Sequence, residues 1–533
     1  MKRNFVSVTV LLAFIFSILG ISTSTYGDEK TPDDEFRVGM EAGYAPFNWS
    51  QQTSDNGALP IQGQKSYAGG YDVQIAKKVA DGLGKKLVIV QTKWDGLAPA
   101  LQSGKIDAII AGMSPTAERK KEIDFTDPYY ESQLVVVVQK DGKYADATSI
   151  DDLSGAKLTA QLNTFHYSVI DQIPGVDKQQ AMDNFSAMRT ALQSGMIDGY
   201  VSERPEGVTA TSVNPDLKML EFSDENGFQT NPEDVQIAIG MRKGDSDIQQ
   251  VNQILSGISQ EERTDMMDQA IQDQPAATTD SEDEESGLIQ DFKTIWNQYG
   301  TMFLRGAGLT LFIALIGTIV GTTLGLLIGV FRAIPTAENK VTRFFQKVAN
   351  TLLSIYIEVF RGTPMMVQAM VIFYGLALAF GISLNRTIAA LIIVSINTGA
   401  YMTEIVRGGI FAVDEGQFEA AQAIGMTHGQ TMRKVIVPQV LRNILPATGN
   451  EFVINIKDTA VLSVIGVADL FFQGNSAAGA NFQFFQTFTI VGIIYLIMTF
   501  TITRILRVVE RRIDGPSAYT KLDDEPDNSN LQE

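Results

Sequence analysis

Side chains that make or break covalent bonds are scarce in this sequence. It has no cysteine and only two histidines, His166 and His428. Thiolate chemistry, disulfides, a lipid-bearing cysteine and a histidine-rich metal site are therefore all excluded. No Gly-x-Ser-x-Gly turn exposes a serine nucleophile. No Gly-x-x-x-x-Gly-Lys-Ser/Thr loop cradles a phosphate, since Gly-Leu-Gly-Lys-Lys at Gly82 lacks both the spacing and the hydroxyl. What remains is the chemistry of recognition. Arg119, in PTAERKK, offers a planar guanidinium that suits a carboxylate, and Glu203, in YVSERPEG, offers a carboxylate that suits an ammonium. Taken alone, Arg119 beside Lys120 and Lys121 reads as a surface base. Aromatic rings at Tyr44, Phe47, Trp49 and Trp94 supply apolar walls with a capacity for cation–π attraction.

The elements that hold these residues fall into two halves of different character. The chain has 533 residues, enough for two to four domains at roughly 100 to 200 residues each. Residues 28–287 carry 44 acids against 22 bases, whereas residues 288–533 carry 17 and 18, so the net charge of −19 lies almost wholly in the first half. That acidity excludes the basic footprint that nucleic acid requires. From about Glu35 to Ala270, short apolar runs (RVGM, KLVIV, IDAIIAG, LVVVVQ, VQIAIGM) alternate with amphipathic stretches such as YDVQIAKKVADGLG, a pattern that predicts an α/β fold with parallel strands. Residues 272–287, with four consecutive acids at Glu282 to Glu285, read as a solvated, flexible linker.

Beyond the linker, uncharged runs at Gly306–Phe331, Gly362–Asn385 and Leu470–Thr503 exceed or approach the roughly 20 residues that cross a bilayer. Five helices are expected, near 307–331, 365–382, 387–405, 440–460 and 483–503. In the fourth, Glu451, Lys457 and Asp458 must be paired or functional, because charge at membrane depth is costly. Lys2 and Arg3 before the apolar run VTVLLAFIFSILGIS read as a secretory signal over residues 1–27, cleaved or retained as an anchor. Export of residues 28–271 and five crossings place the segments after the first, third and fifth helices inside, and the basic residues cluster in those segments. The expected organisation is thus multidomain: an extracellular α/β domain (28–271), the linker, an all-α transmembrane domain (288–515) and a cytoplasmic acidic tail (516–533), in the cell membrane.

The segment GQFEAAQAIGMTHGQTMRKVIVPQVLRNILP, from Gly416 to Pro446, reads as a helix-turn-helix: Gly425 supplies a positive-φ stop, and Thr427 with Gln430 forms a capping pair. Glu419-Ala420-Ala421, the following Gly425 and Val437-Pro438-Gln439 resemble the EAA loop of ABC importer permeases, here about residues 408–439. EVFRGTPMMVQ, NTGAYMTEIVRGGI and NEFVINIKDTAVLSVIG extend the resemblance to the polar amino acid permeases over residues 295–512. The resemblance implies that Glu419, Ala420, Ala421 and Gly425 couple to a cytoplasmic ABC ATPase subunit. It further implies that ATP and Mg are held on that partner, that this chain needs no cofactor or metal and is not itself an enzyme, and that two permease subunits pair, as a homodimer or with another permease.

In the first half, VGMEAGYAPFNW, GGYDVQIAKKVADGLG, the WDGLAPALQSGKIDAIIAGMSPTAERKKEIDFTDPYY segment and IDGYVSERPEG resemble, in that order, the periplasmic-type amino acid-binding proteins, whose two α/β lobes close on a ligand. By motif position, Arg119, Ser114 and Thr164 would hold the α-carboxylate, and Glu203 with the Gly112 carbonyl the α-amino group. Tyr44, Phe47 and Trp94 would wall the side chain. Lobe crossings are expected near Gln133 to Gln139 and Phe228 to Gln236. Glu41 stands where, by the same resemblance, binders of arginine, lysine or histidine carry an acid, with Tyr44, Trp94 and Trp49 as cation–π partners. This favours a cationic amino acid, with glutamine, glutamate or asparagine as the alternative. A ligand-gated channel or amino acid receptor is the competing class, but it would need a selectivity filter or a kinase domain, and neither is legible in the sequence.

Overall fold

The computed structural model describes residues 34–223, 225–274, 288–481 and 483–514. The expected signal, the acid run of the linker and the C-terminal tail lie outside the described residues. The first half folds as two α/β lobes. In lobe one, β1 (Glu35–Met40) lies between β6 (Lys86–Gln91) and β7 (Ala108–Ile109), in parallel with both, and β14 (Gln236–Met241) and β8 (Asp124–Glu131) complete the sheet. Strands β6, β7 and β14 read as near-continuous apolar runs because helices cover the sheet faces, whereas β8 (DFTDPYYE) is mixed. A small antiparallel sheet of β2 (Gly43–Tyr44), β3 (Asn48–Gln51), β5 (Tyr67–Gly69) and β4 (Leu59–Pro60) sits beside it. Lobe two has the strand order β11 (Asp177–Lys178), β10 (Lys157–Thr159), β12 (Gly199–Glu203), β9 (Leu134–Gln139), β13 (Leu217–Glu221). The chain crosses between lobes from β8 to β9 and returns from β13 to β14, where the sequence places the crossings.

Helices α1 (Tyr71–Gly82) and α2 (Trp94–Gln102) pack on lobe one, followed by the single turn α3 (Arg119–Glu122). Helices α4 (Phe165–Val169), α5 (Phe185–Gln193) and α6 (Arg204–Val213) belong to lobe two, and α7 (Ile248–Ser256) and α8 (Gln260–Asp273) return to lobe one. The start of α1 needs glycine: Gly70 has φ +117°, and a Cβ there would sit closer than 3.0 Å to the Phe47 carbonyl.

The second half is helical: α9 (Leu288–Arg332), α10 (Lys340–Gly362), α11 (Met365–Phe380), α12 (Arg386–Phe411), α13 (Glu415–Ala423), α14 (His428–Thr431), α15 (Val437–Asp458), α16 (Leu470–Asn481) and α17 (Phe484–Asp514). Among the described residues, α9, α12 and α17 are long and apolar enough to cross a membrane, and α10 with α11 forms a pair bent by 114° that passes the same test as a unit. Two departures from the expected spans have physical causes. Helix α15 exists, but Arg442, Glu451, Lys457 and Asp458 lower its hydropathy. Helix α10 falls in a segment read as a basic connector, because Lys340, Arg343 and Lys347 mask apolar positions such as Phe344, Val348 and Leu352 that recur at helical spacing and stay exposed.

Gly317, Gly321, Gly325 and Gly329 form one stripe on α9, and a Cβ at each would lie closer than 3.0 Å to Val394, Thr398, Met402 and Val406 of α12. Small residues let the two backbones meet. At the same junction the buried Asn455 of α15 donates to Thr318 Oγ1 (2.8 Å) and Thr398 Oγ1 (3.0 Å), tying three helices through one amide.

Candidate functional site

The loop after β7 and the turn at α3 deliver Ser114 and Arg119 to the inner edge of lobe one. The Arg119 guanidinium donates to its own lobe at Ser114 O (2.9 Å) and across the cleft to Asn163 O (3.0 Å), and its face lies 5.2 Å from the Trp94 ring. Burial lowers its pKa to about 10, with Glu203 acting in the opposite direction. Asn163 in turn donates to Asp95 Oδ1 (2.9 Å), a second bond between lobes. Thr164, beside Asn163, donates to Gln161 O (2.7 Å), which fixes the loop that faces Arg119.

Glu203 closes β12 and is the N-cap of α6. Only 2 % exposed, it accepts from Tyr44 OH at 3.0 Å, so a lobe-one phenol touches a lobe-two carboxylate. Burial, followed by the Glu203 charge, holds the Tyr44 phenol well above its ordinary range. Tyr44 stacks between Phe47 (5.0 Å) and Phe185 (4.7 Å, 7° between planes). Gly112, at φ +62°, lies against it; a Cβ there would enter the Tyr44 ring.

A buried network supports this wall. Asn48 accepts from Ala42 N–H (2.8 Å) and donates to Asp72 Oδ2 (2.7 Å), while Tyr129 OH donates to Asp72 Oδ1 (2.7 Å) and accepts from Gly112 N–H (3.3 Å). Burial raises Asp72 to about 7 despite the opposing bonds from Tyr129 and Asn48. Glu41, at the end of β1, is likewise raised to about 7. Burial is the main cause; Asp95 and Asp183 add to it, and Lys93 and a bond from Gln161 oppose it.

The structure thus brings together Arg119, Glu203, Ser114, Thr164, Gly112, Tyr44, Trp94 and Glu41. Phe47 is fully buried and meets Tyr71 and Tyr130 edge-on, so it supports Tyr44 from beneath. Trp49 is also buried; its indole donates to Gln51 (2.7 Å) under Gly69, which removes it from the expected cation–π set. Three contributors were not assigned from sequence: Phe185, Gln161 and His166. The His166 Nε2 lies 3.3 Å from Glu203 Oε1, yet neither ring nitrogen has a hydrogen-bond partner, and the residue is 5 % exposed. A lone histidine in TFHYSV carries no motif; its meaning comes only from the fold that places it against Glu203. No group of three or more metal-ligating side chains occurs among the described residues.

The second assembly is the α13 loop. Asp414 caps α13 by accepting from Gly416 N–H (2.7 Å), Gly425 ends it at φ +81°, and Thr427 with Gln430 forms the reciprocal capping box expected from sequence. Glu419, Ala420 and Gly425 are exposed, as is Ile424, whereas Ala421 is buried at 3 % against its own domain.

Residues 36–271 match the bacterial extracellular solute-binding proteins, family 3, and residues 321–515 match the binding-protein-dependent transport system inner membrane component. The glutamine transport system permease protein GlnP of Escherichia coli (strain K12) is 38% identical over 224 residues, 42% of this chain and 97% of the relative. The arginine transport system permease protein ArtQ of Bacillus subtilis (strain 168) is 34% identical over 210 residues, 39% of this chain and 91% of the relative. Among solved structures, the substrate binding protein of an amino acid ABC transporter is 31% identical with a TM-score of 0.38, covering 45% of this chain and 99% of that one.

Proposed function

The chain belongs to the amino acid ABC transporter permeases and carries a solute-binding domain in the same polypeptide, and on that premise we propose that it captures a polar amino acid outside the cell and passes it through a paired transmembrane pathway. The observation that carries the binding half is that Arg119 of lobe one and Glu203 of lobe two face the same cleft, each bonded across it, Arg119 to Asn163 O and Glu203 to the Tyr44 hydroxyl. A zwitterion presents one planar anion and one ammonium, and these two side chains match them in charge and geometry. Arg119, Ser114 and Thr164 take the carboxylate; Glu203 and Gly112 take the amino group; Tyr44 and Trp94, backed by Phe47, line the side chain.

The cationic amino acids are the favoured substrates, because Glu41 has Asp95 and Asp183 as neighbours, which leaves that end of the site short of positive charge. The arginine permease relative supports this reading, and the glutamine permease relative supports glutamine as the alternative. The family implies an ATPase partner, which would hold ATP and Mg. Glu419, Ala420 and Gly425 present the exposed edge of α13 to it, and Ala421 anchors that edge from inside. The binding domain lies outside and the α13 loop inside. Equilibrium binding of the twenty amino acids to the full chain in nanodiscs tests the reading, which predicts saturable binding of arginine, lysine or histidine that Arg119→Ala abolishes. Binding that survives Arg119→Ala within a few-fold of wild type would refute the site.

A further inference from the structure

The cleft of the binding domain does not open onto bulk water alone. A cavity of about 250 Å³ is lined by Glu41 and Trp94, at the side-chain end of the proposed amino acid site, and by Asn475, Ser476 and Gly479 of the permease helix α16; Arg119 and Glu203 lie outside its lining. Asp183 and Asn184 of lobe two line the same space, so it lies where both lobes and the permease meet. Helix α16 packs on β2 and β3, the strands that carry Tyr44 and Trp49.

The junction is a fitted one. Gln91 Nε2 is shared between the Glu41 carbonyl (3.0 Å) and Ser476 Oγ (2.8 Å), so one amide ties the strand end bearing Glu41 to α16. A Cβ at Gly479 would fall 2.9 Å from the Gly43 Cα, one residue before Tyr44. Around this contact, Arg386 donates to Thr92 Oγ1 (3.2 Å), Lys105 Nζ lies 3.7 Å over the Phe373 ring, and Lys93 Nζ lies 5.4 Å over the Phe471 ring. These contacts join lobe one to α12, α11 and α16 in turn.

The geometry points to a composite specificity site: the permease domain, through Asn475 and Ser476 on α16, forms part of the wall that the amino acid's side chain meets, so the two domains select the substrate jointly. Arg119 and Glu203 hold the backbone end of the ligand deep in the cleft, which directs its side chain toward Glu41 and the cavity. The carboxylates of Glu41, Asp95 and Asp183 outnumber the single Lys93 amine along that wall, so the class admitted is an amino acid with a cationic side chain. Asn475 adds a neutral polar surface at the far end, where an amide meets a guanidinium or ammonium without charge repulsion. This inference rests on the amino acid-binding reading above.

The test is equilibrium binding of L-arginine and L-glutamine to the full chain in nanodiscs. Asn475→Lys brings a like charge to the end of the cavity and lowers arginine affinity relative to glutamine on the order of tenfold. Asn475→Asp, nearly isosteric, moves the ratio in the opposite direction. Gly479→Val drives a side chain into Gly43 and separates the domains, so adding Asn475→Lys to it no longer changes the ratio. An arginine-to-glutamine ratio unchanged in both Asn475 variants would overturn the composite site while leaving amino acid binding intact. Failure of the wild-type chain to bind either amino acid would remove the underlying reading, and this inference with it.

Discussion

Tyr44 and Glu203 are 159 residues apart in sequence and 3.0 Å apart across the cleft, phenol to carboxylate. Under the proposed assignment of the ligand's ammonium to Glu203, the bond couples closure of the lobes to assembly of that site, since the same acid also receives the opposite lobe. Tyr44→Phe keeps both ring stacks and loses only this bond. A hydrogen bond to a charged acceptor contributes about 1.5–3 kcal/mol, so amino acid affinity falls by roughly ten- to a hundredfold with the fold preserved. Glu203→Gln leaves the ligand's ammonium without its counter-charge and costs more, about 2–5 kcal/mol. Calorimetric titration ranks the two; an equal or larger loss in Tyr44→Phe would contradict the assignment of the ammonium to Glu203.

His166 faces the other oxygen of that carboxylate at 3.3 Å, with both ring nitrogens buried and unbonded. Its ring occupies the space beside that oxygen, so a positioning role for His166, restricting where Glu203 can swing, is the reading to test. His166→Leu removes the polar edge and weakens amino acid binding about tenfold, on the scale of one buried polar contact, while His166→Gln recovers most of the loss. In a Glu203→Gln background the His166→Leu change adds little, because its effect runs through that carboxylate. Additive losses in the double variant would show that His166 only fills space.

The lobes, their crossing points and the capping box at Thr427 were legible because each rests on local pattern: alternating apolar strands, turn residues, a hydroxyl three residues before an amide. Arg119 and Glu203 were legible only through their motifs, since neither burial nor partner can be read from a base flanked by lysines. The Asn48–Asp72–Tyr129 network, Phe185 and His166 were not, because each acquires meaning from residues dozens of positions away. Trp49 was misplaced for the same reason: an aromatic in a strand next to a binding loop can turn to either face, and this one turns inward. Helix α10 was hidden by lysines and arginines that lower hydropathy without breaking helical spacing. The glycine stripe of α9 has a regular four-residue spacing, but only the fold shows that α12 is the helix that meets it.

The proposed pairing of Glu41 with a cationic side chain predicts that arginine binding depends on pH in a direction that glutamine binding does not share. Burial raises its pKa from an ordinary 4.5 to about 7, with Asp95 and Asp183 adding to the shift and Lys93 and Gln161 opposing it. Between those values the folded protein keeps a proton that the unfolded chain has lost, so Glu41 lowers stability as pH rises through the window. A cationic side chain pulls the carboxylate back toward ionisation, so its binding releases a proton below about pH 7. Arginine affinity therefore rises from pH 5.5 to 7.5 by up to about tenfold per unit below the raised pKa, then levels. Asp72, raised to about 7 by burial, serves both ligands alike, so the arginine-to-glutamine ratio isolates Glu41. The rise should vanish in Glu41→Gln; a ratio independent of pH in the wild type would place the cationic group elsewhere.

The α13 loop separates two demands that a single substitution can confuse. Ala421 is buried at 3 %, so Ala421→Leu overpacks the domain itself, at about 1–3 kcal/mol, and lowers thermal stability as well as coupling. Glu419 is exposed, so Glu419→Lys leaves the fold alone and changes only the face offered to the ATPase. Gly425 turns the chain at φ +81°, where a β-branched residue costs about 1–2 kcal/mol and would tilt α13 against α14. In the complex reconstituted with its ATPase, Glu419→Lys and Gly425→Val should reduce amino acid-stimulated hydrolysis on the order of tenfold, as expected for loss of one anchoring interface contact. Amino acid affinity should stay at the wild-type value in both, because the clamp at Arg119 and Glu203 shares no contact with α13. Stimulation at the wild-type level in Glu419→Lys, with Gly425→Val impaired only through a lowered Tm, would mean that the loop shapes the permease and does not transmit the signal.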